Sequence, residues 1–403
     1  MGGMDTIIEP TLPASGATTR WMGVGHSNDT DPVAAAREAA RGAVRGTDTR
    51  LVVVFCSDAY DLPRLLSAIN EETGGAPLVG CSTAGEIATN GPSETSVVVS
   101  AIGGSGFTVS THVATGVSAR LREAGAEVAQ CLADVDESPH RVLMLLTDGL
   151  AGDQQEIVRG AYSVVGAQVP LVGGCAGDDL KMVSTRQLFG DQVLEDAIVG
   201  AAIGSDAPLG IGVRHGWQTV GEPMLVTKSA NNRVYTLDDR PALDVYLERL
   251  EAPEEARHDP SAFTRFALTH PFGLRGRSGE PHVRFIGEAN FEDRSIGCIA
   301  EVPQSAPVWL MEGDSDSVLE ATDAACQEAM GRLDGRDPIG MIAFDCIARR
   351  GVLGEPGIKR EIQRVAEHAG GAPVAGFYTY GEIARTHGIS GFHNQTLVVL
   401  AVS

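Results

Sequence analysis

From Leu51 the chain runs LVVVFCSDAY, an unbroken β-branched apolar stretch, and from Pro77 it runs PLVGCS. Between them DLPRLLSAINEETGG spaces its apolar residues for a helix and stops at Gly74. Continuously apolar strands around a helix predict a buried parallel strand-helix-strand unit. The pattern returns twice. RVLMLLTDGLAGD from Arg141, a helix around QQEIVRGAYSVVGAQ and PLVGGCAG form a second unit. IGMIAFDCIARR from Ile339, a helix around KREIQRVAEHAGG and PVAGFYTYGE form a third. Ahead of the first unit, DPVAAAREAARGAV predicts an Ala-rich helix capped by Asp31, with Pro32 in its first turn.

Between the first two units, TSVVVSAIGGSGFTVSTHVATGV predicts a strand pair around a Gly-rich turn, and SARLREAGAEVAQCLADV predicts a helix. After the second unit, DAIVGAAIGSDAPLGIGVRHGWQTVG predicts another antiparallel set. The expected fold is α/β: two lobes with mixed parallel and antiparallel sheets flanked by helices. Residues 1–20 carry breakers and no periodicity, which predicts a loose tail. The change from strands to LDDRPALDVYLERL near Leu237 places a boundary between domains over 21–238 and 239–403.

Composition narrows the function. Fifty-three acids against 31 bases give a formal charge of −22, which repels phosphate backbones and argues against nucleic acid or anionic membrane as partner. No apolar run approaches the roughly 18 residues of a membrane helix, and MGGMDTIIEPTLP lacks the features of a signal peptide, so the expected location is cytoplasmic. The seven cysteines are scattered without a CxxC pair, which predicts reduced thiols and neither a zinc module nor a disulfide framework. Walker, HExxH and dinucleotide-binding motifs are absent.

In a right-handed crossover the loops after both parallel strands leave the same sheet edge, the edge where open α/β sheets bind ligands. Those loops concentrate Cys, Asp, Glu, Arg, Thr and Tyr. Gly80, Gly173 and Gly376 are expected to turn the chain sharply off its strand. Glu86 and Glu382 stand at matching places, with Asp178 and Asp179 near that place in the second unit. Facing a ligand, these carboxylates would meet a cation, and Arg349 would grip an anion with its two-pronged guanidinium. Cys81, Ser82, Thr83, Cys175, Cys346, Tyr378 and Tyr380 complete the loop set. The competing readings are structural: Glu86 and Glu382 as caps of following helices, the cysteines as compact hydrophobes, Asp345, Cys346 and Arg349 as the polar end of a strand, the tyrosines as core-edge residues.

LVGCSTAGEI resembles the amino-terminal half of the FIST family, and VVVFCSDAYDLPRLL, TSVVVSAI and PLVGGCAGDD extend the likeness. RPALDVYLERL, FDCIARR, GFYTYGEIA and GFHNQTLVVLA are similar to its carboxy-terminal half, and Asn394 of the last segment joins the candidate ligand-binding residues. The resemblance implies a small-ligand sensor of prokaryotic signal transduction, with an amino acid or similar polar molecule as ligand and no required cofactor. Lacking a fused output domain, it would act through a separate partner such as a histidine kinase. It also implies an alternative, a haem-binding nitric oxide sensor with His112, His215, His270 or His393 as axial candidates. A third reading makes Cys81, Cys175 or Cys346 the nucleophile of an enzyme, with His26 considered as base to Cys81.

Overall fold

A computed structural model describes residues 19–135, 137–275, 281–386 and 391–403. Most of the predicted tail lies outside them. Arg20, assigned to that tail, is anchored: its guanidinium donates to the carbonyls of Ser403 and Gly106 and stacks 3.8 Å over the Phe107 ring.

Three repeats of one plan make the body. The first runs β1 (Trp21–Ser27), α1 (Pro32–Ala43), β2 (Thr49–Cys56), α2 (Leu62–Thr73), β3 (Leu78–Ser82), the hairpin β4 (Glu86–Ala88) and β5 (Gly91–Ser93), then β6 (Val97–Gly103). The second runs β7 (Phe107–Thr115), α3 (Leu121–Val128), β8 (His140–Thr147), α4 (Gln154–Val165), β9 (Leu171–Cys175), the hairpin β10 (Gln187–Phe189) and β11 (Gln192–Leu194), then β12 (Ala197–Ser205).

The third opens with β13 (Leu209–Arg214) and is interrupted by an inserted lobe. That lobe holds β14 (Gln218–Ala230), β15 (Arg233–Leu237), β16 (Arg240–Pro241), α5 (Ala242–Arg249), α6 (Pro260–Ala267), β17 (Phe272–Arg275), β18 (Pro281–Arg284), β19 (Ile286–Asn290), β20 (Ser295–Cys298) and β21 (Pro307–Glu312). The repeat resumes with α7 (Ser315–Gly331), β22 (Gly340–Cys346), α8 (Ile347–His368), β23 (Val374–Thr379), the hairpin β24 (Glu382–Arg385) and β25 (Phe392–His393), and β26 (Leu397–Val402).

Local signals act as the sequence predicts. Asp31 caps α1 by accepting from the amides of Val33 and Ala34, and Gly74 ends α2 in the left-handed conformation. β2 and β3, β8 and β9, and β22 and β23 are parallel pairs, so the fold is mixed α/β on repeated strand-helix-strand units.

The pairing between repeats is not local. Each repeat sends its hairpin to another repeat's sheet: β4 pairs β23, β10 pairs β3 and β24 pairs β9. The three sheets run β1-β6-β2-β3-β10-β11, β25-β24-β9-β8-β12-β7 and β13-β26-β22-β23-β4-β5. Hydrogen bonding therefore joins residues from both sides of residue 238. The predicted strand pair at residues 95–117 is not a hairpin, because β6 lies in the first sheet and β7 in the second. The set after the second repeat is likewise divided: β12, β13 and β14 belong to three different sheets. A strand buried on both faces needs flanking partners on both edges, and the distant ones win.

One face of each sheet meets in a shared core that includes Val53, Phe55, Met144, Leu146, Ile342 and Phe344, with the Phe55 and Phe377 rings 4.7 Å apart. The three strand glycines serve this packing rather than a turn. A Cβ on Gly80, Gly173 or Gly376 would lie 2.4, 1.9 or 2.1 Å from the carbonyl oxygen of Val54, Leu145 or Ala343 on the neighbouring strand. No helix among the described residues is long and apolar enough to cross a membrane.

Candidate functional site

The loops after the parallel strands do share one rim, and there each exchanged hairpin borders a cleft. Asp58, Tyr60 and Asp61 face Arg186 and Glu195 across about 450 Å³. Ile347, Arg350 and Gly354 face Ala84, Glu94 and Thr95 across about 640 Å³. Gly149, Leu150 and Asp153 face Tyr380 and Asn394 across about 790 Å³. Residues of the loop 178–184 line all three clefts.

The third cleft differs because the inserted lobe supplies another wall, with Asn231, Asn232, Phe285, Ile299, Ala300 and Glu301. Its volume suits a small molecule, and its walls mix apolar side chains with a few polar groups. Cys346, 4 % exposed, and Asn394, 2 % exposed, lie deep within it. The Oδ1 of Asn394 is buried without a hydrogen-bond partner. Arg159 and Glu156 form an ion pair of 2.5 Å. Leu180 and Met182 reach in from the loop 178–184, which adopts positive φ at Asp179, Leu180 and Met182.

That loop is held by Asp178. Its carboxylate accepts from the amides of Met182 (2.9 Å), Val183 (2.7 Å) and Ser184 (3.0 Å) and from the Tyr380 hydroxyl (2.5 Å). Burial works to raise this carboxyl, yet the Tyr380 hydroxyl and the three amides together hold it below the ordinary range. Asp178 thus serves the loop rather than a ligand. Asp179 accepts from the Ser57 hydroxyl at 3.2 Å and faces the second of the clefts described above.

Most other sequence-predicted site residues are sealed inside. Glu86 and Glu382 begin strands, not helices, and neither faces a cleft. Thr83 donates to Glu86 at 2.5 Å while the Ser96 amide and hydroxyl donate at 3.1 and 2.7 Å. Thr379 and Thr396 repeat this arrangement around Glu382 at 2.5, 3.1 and 2.8 Å. Burial pushes both carboxyls up to about 7, against the pull of those donors. Strand register gives Gln187, not Asp178 or Asp179, as their counterpart in the second repeat: Glu86, Gln187 and Glu382 pair with Phe377, Cys81 and Gly174.

Arg349 does not reach a ligand. Fully buried, it bonds Asp345 at 2.8 Å, Glu361, Thr322 at 2.9 Å and the His215 carbonyl at 3.0 Å. Burial, and then Glu361, pushes Asp345 well above the carboxylate range. Gly80 and Cys81 lie within β3, and Cys81 packs in the central core. The Ser82 hydroxyl donates to the Gly177 carbonyl at 2.7 Å, the Thr147 hydroxyl donates to the Cys175 sulfur at 3.2 Å, and Tyr378 is buried among apolar side chains. Of the predicted set, Cys346, Tyr380 and Asn394 are brought together in the roofed cleft. Sequence reasoning missed the wall from the inserted lobe, which belongs to no repeat. The TDGLAGD loop, already quoted as a strand end, was the available signal for Gly149 and Asp153.

The alternative chemistries find little here. None of His112, His215, His270 and His393 lines the roofed cleft. His393 donates its Nε2 proton to the Ala384 carbonyl at 2.8 Å, and burial drives its pKa down to about 3. The histidines therefore do not fit a haem in this cleft. His26 bonds Ser93 at 3.1 Å. Burial raises the thiols of Cys81 and Cys346 far up and that of Cys175 to about 12, so none is poised as a thiolate. Among the described residues no cluster of three or more His, Cys, Asp or Glu is arranged for a metal.

Comparison with known proteins decides the lineage. The FIST N domain matches residues 50–240, and the FIST C domain matches residues 242–385. The chain belongs to the FIST family. FIST domains are sensory, ligand-binding domains of signal transduction, and the family is not an enzymatic one. This FIST chain is 24% identical over 387 residues to the uncharacterized protein Rv0628c of Mycobacterium tuberculosis, covering 93% of this chain and 97% of that one. It is 25% identical over 161 residues to the uncharacterized protein MJ1623 of Methanocaldococcus jannaschii, covering 38% of this chain and 31% of that one.

Proposed function

We propose that this FIST protein is a sensor that takes a small molecule into the cleft between the three-repeat body and the inserted lobe, and signals through a separate protein such as a histidine kinase. The observation that carries the reading is the asymmetry of the rim. Three related clefts exist, and the one of about 790 Å³ is walled by two lobes and holds a buried, unpaired side-chain acceptor. Clefts between lobes are common ligand sites, because closure on a ligand couples binding to shape.

An amino acid remains within this reading only in part. Asp153 and Glu301 suit an ammonium at the mouth, whereas the carboxylate partner expected in Arg349 is sealed in its ion pairs. A thermal-shift screen of amino acids, their amides and related small molecules tests the site when run on wild type and Ile299→Arg in parallel. A ligand at about 100 times its Kd adds roughly 2.7 kcal/mol. The expected result is a shift that Ile299→Arg, at an exposed position of the wall, abolishes. Equal shifts in both proteins would place binding elsewhere.

A further inference from the structure

The chemistry of the cleft floor narrows the ligand, on the reading that the roofed cleft is the sensory site. Asn394 follows the second strand of the exchanged hairpin β24–β25, at the deep end of the cleft beside Cys346 and Ala348. It is 2 % exposed, and its Oδ1 has no partner. An orphan acceptor inside a protein costs free energy unless something satisfies it, and on the lining of an open cleft the sources are water and a ligand that displaces it. A side-chain amide carries an acceptor and a donor side by side, so its best complement is a group with the same pair reversed.

Three further observations constrain the rest of the molecule. Leu150, Leu180, Met182, Phe285, Ile299 and Ile347 supply apolar wall, so the polar edge is attached to an apolar body. The lining holds three carboxylates, Asp153, Glu156 and Glu301, against one guanidinium, Arg159. That guanidinium is engaged by Glu156 at 2.5 Å. A carboxylate ligand would meet an acceptor at the floor, and the guanidiniums around the walls are engaged: Arg122 also pairs with Glu156, at 2.7 Å, and Arg284 donates to the Glu301 carbonyl at 3.1 Å.

We propose that the cleft recognises an uncharged carboxamide-type ligand on an apolar body, its amide edge paired with Asn394, and that it discriminates against the carboxylate of the same shape. Benzamide and benzoate are the matched probes, with nicotinamide and nicotinate as a second pair. Ligand-observed NMR and calorimetry on the full-length protein measure each against wild type, Asn394→Ala, Asn394→Asp and Ile299→Arg. Losing a paired donor and acceptor weakens binding by about tenfold or more.

The expected result is amide binding in wild type, at least ~10-fold weaker in both Asn394 variants, lost in Ile299→Arg, with the carboxylates silent. Amide binding that survives Asn394→Ala but is lost in Ile299→Arg overturns the amide contact and leaves the cleft as the site. Carboxylate binding equal to or tighter than amide binding overturns the proposed selectivity. Binding untouched by any variant overturns the cleft itself, and absence of binding by all four probes overturns the ligand class. Asn394→Asp keeps the shape of the side chain, so a folding defect in Asn394→Ala does not obscure the outcome.

Discussion

At the scale of single residues, the chemistry-bearing side chains divide into those that hold the fold and those that meet the cleft. Arg349 belongs to the first group. Its removal strands Asp345 and Glu361 in a place without water, and breaking one partner of a buried ion pair costs ~3–5 kcal/mol. Arg349→Ala is therefore expected to lower the denaturation midpoint steeply; a midpoint within ~0.5 kcal/mol of wild type would contradict the buried-pair account. From sequence alone, an Arg four residues after an Asp at a strand end looks the same whether it waits for a ligand or for Glu361, 12 residues further along α8. That ambiguity is resolved only by the break inside α8 at Gly354 (φ 61°, ψ 175°), which turns the second part of the helix so that Glu361 meets Arg349.

The cysteines make the complementary case. All seven are buried in the described structure, and burial keeps their thiols protonated. Native protein at pH 7.5 is expected to react with a thiol reagent only slowly, and all seven sites of the sequence to react at once in denaturant. Rapid native labelling of one cysteine would revive a nucleophilic role.

At the scale of elements, the exchanged hairpins explain the repeated Glu. Each of Glu86 and Glu382 fixes the entry of a hairpin into a foreign sheet by gathering hydroxyl and amide donors from its own repeat. The second repeat makes the comparison internally. There Ala197 replaces the hydroxyl residue of Ser96 and Thr396, and Gln187 replaces the acid. With a folded-state pKa of about 7 against an ordinary 4.5, each Glu binds its proton more tightly folded than unfolded. The stability this confers is complete below pH 4.5 and declines as pH rises through 7, by ~3 kcal/mol for each group. Glu86→Gln should flatten part of that decline between pH 5 and 8, with Thr83 rotating to accept from the new amide. An unchanged pH slope in chemical denaturation would show that Glu86 does not titrate in this window.

The strands and helices that carry these hairpins were legible because their signals are local: Asp31 and Pro32 start α1, Gly74 stops α2, and LVVVFC needs a sheet. Sheet membership was not, because the turns after β6 and β12 read the same whether the chain doubles back or crosses to another repeat. The equivalence of Gln187 with the two Glu residues was hidden by the long 176–186 loop, and only register exposes it.

At the scale of the whole molecule, three repeats give a near-symmetric rim and the inserted lobe breaks the symmetry. Gln218 and Glu312 are register partners at the base of that lobe, so the chain enters and leaves it at one point. A variant with residues 219–311 replaced by a short Gly-Ser turn is expected to keep the three-sheet body, seen as a cooperative unfolding transition, and to lose ligand binding. Retained binding would assign the site to the body alone. No sequence pattern announced this role, because the inserted lobe has no counterpart in the other repeats.

The most direct test of the account is peptide-resolved hydrogen exchange on the full-length protein with and without a saturating ligand from the screen. The cleft reading predicts slowed exchange in the segments that meet across it: 149–153, 178–184, 231–232, 299–301 and 392–396. Slowing confined to other segments, or to one lobe without the other, would contradict a site formed between the repeat body and the inserted lobe.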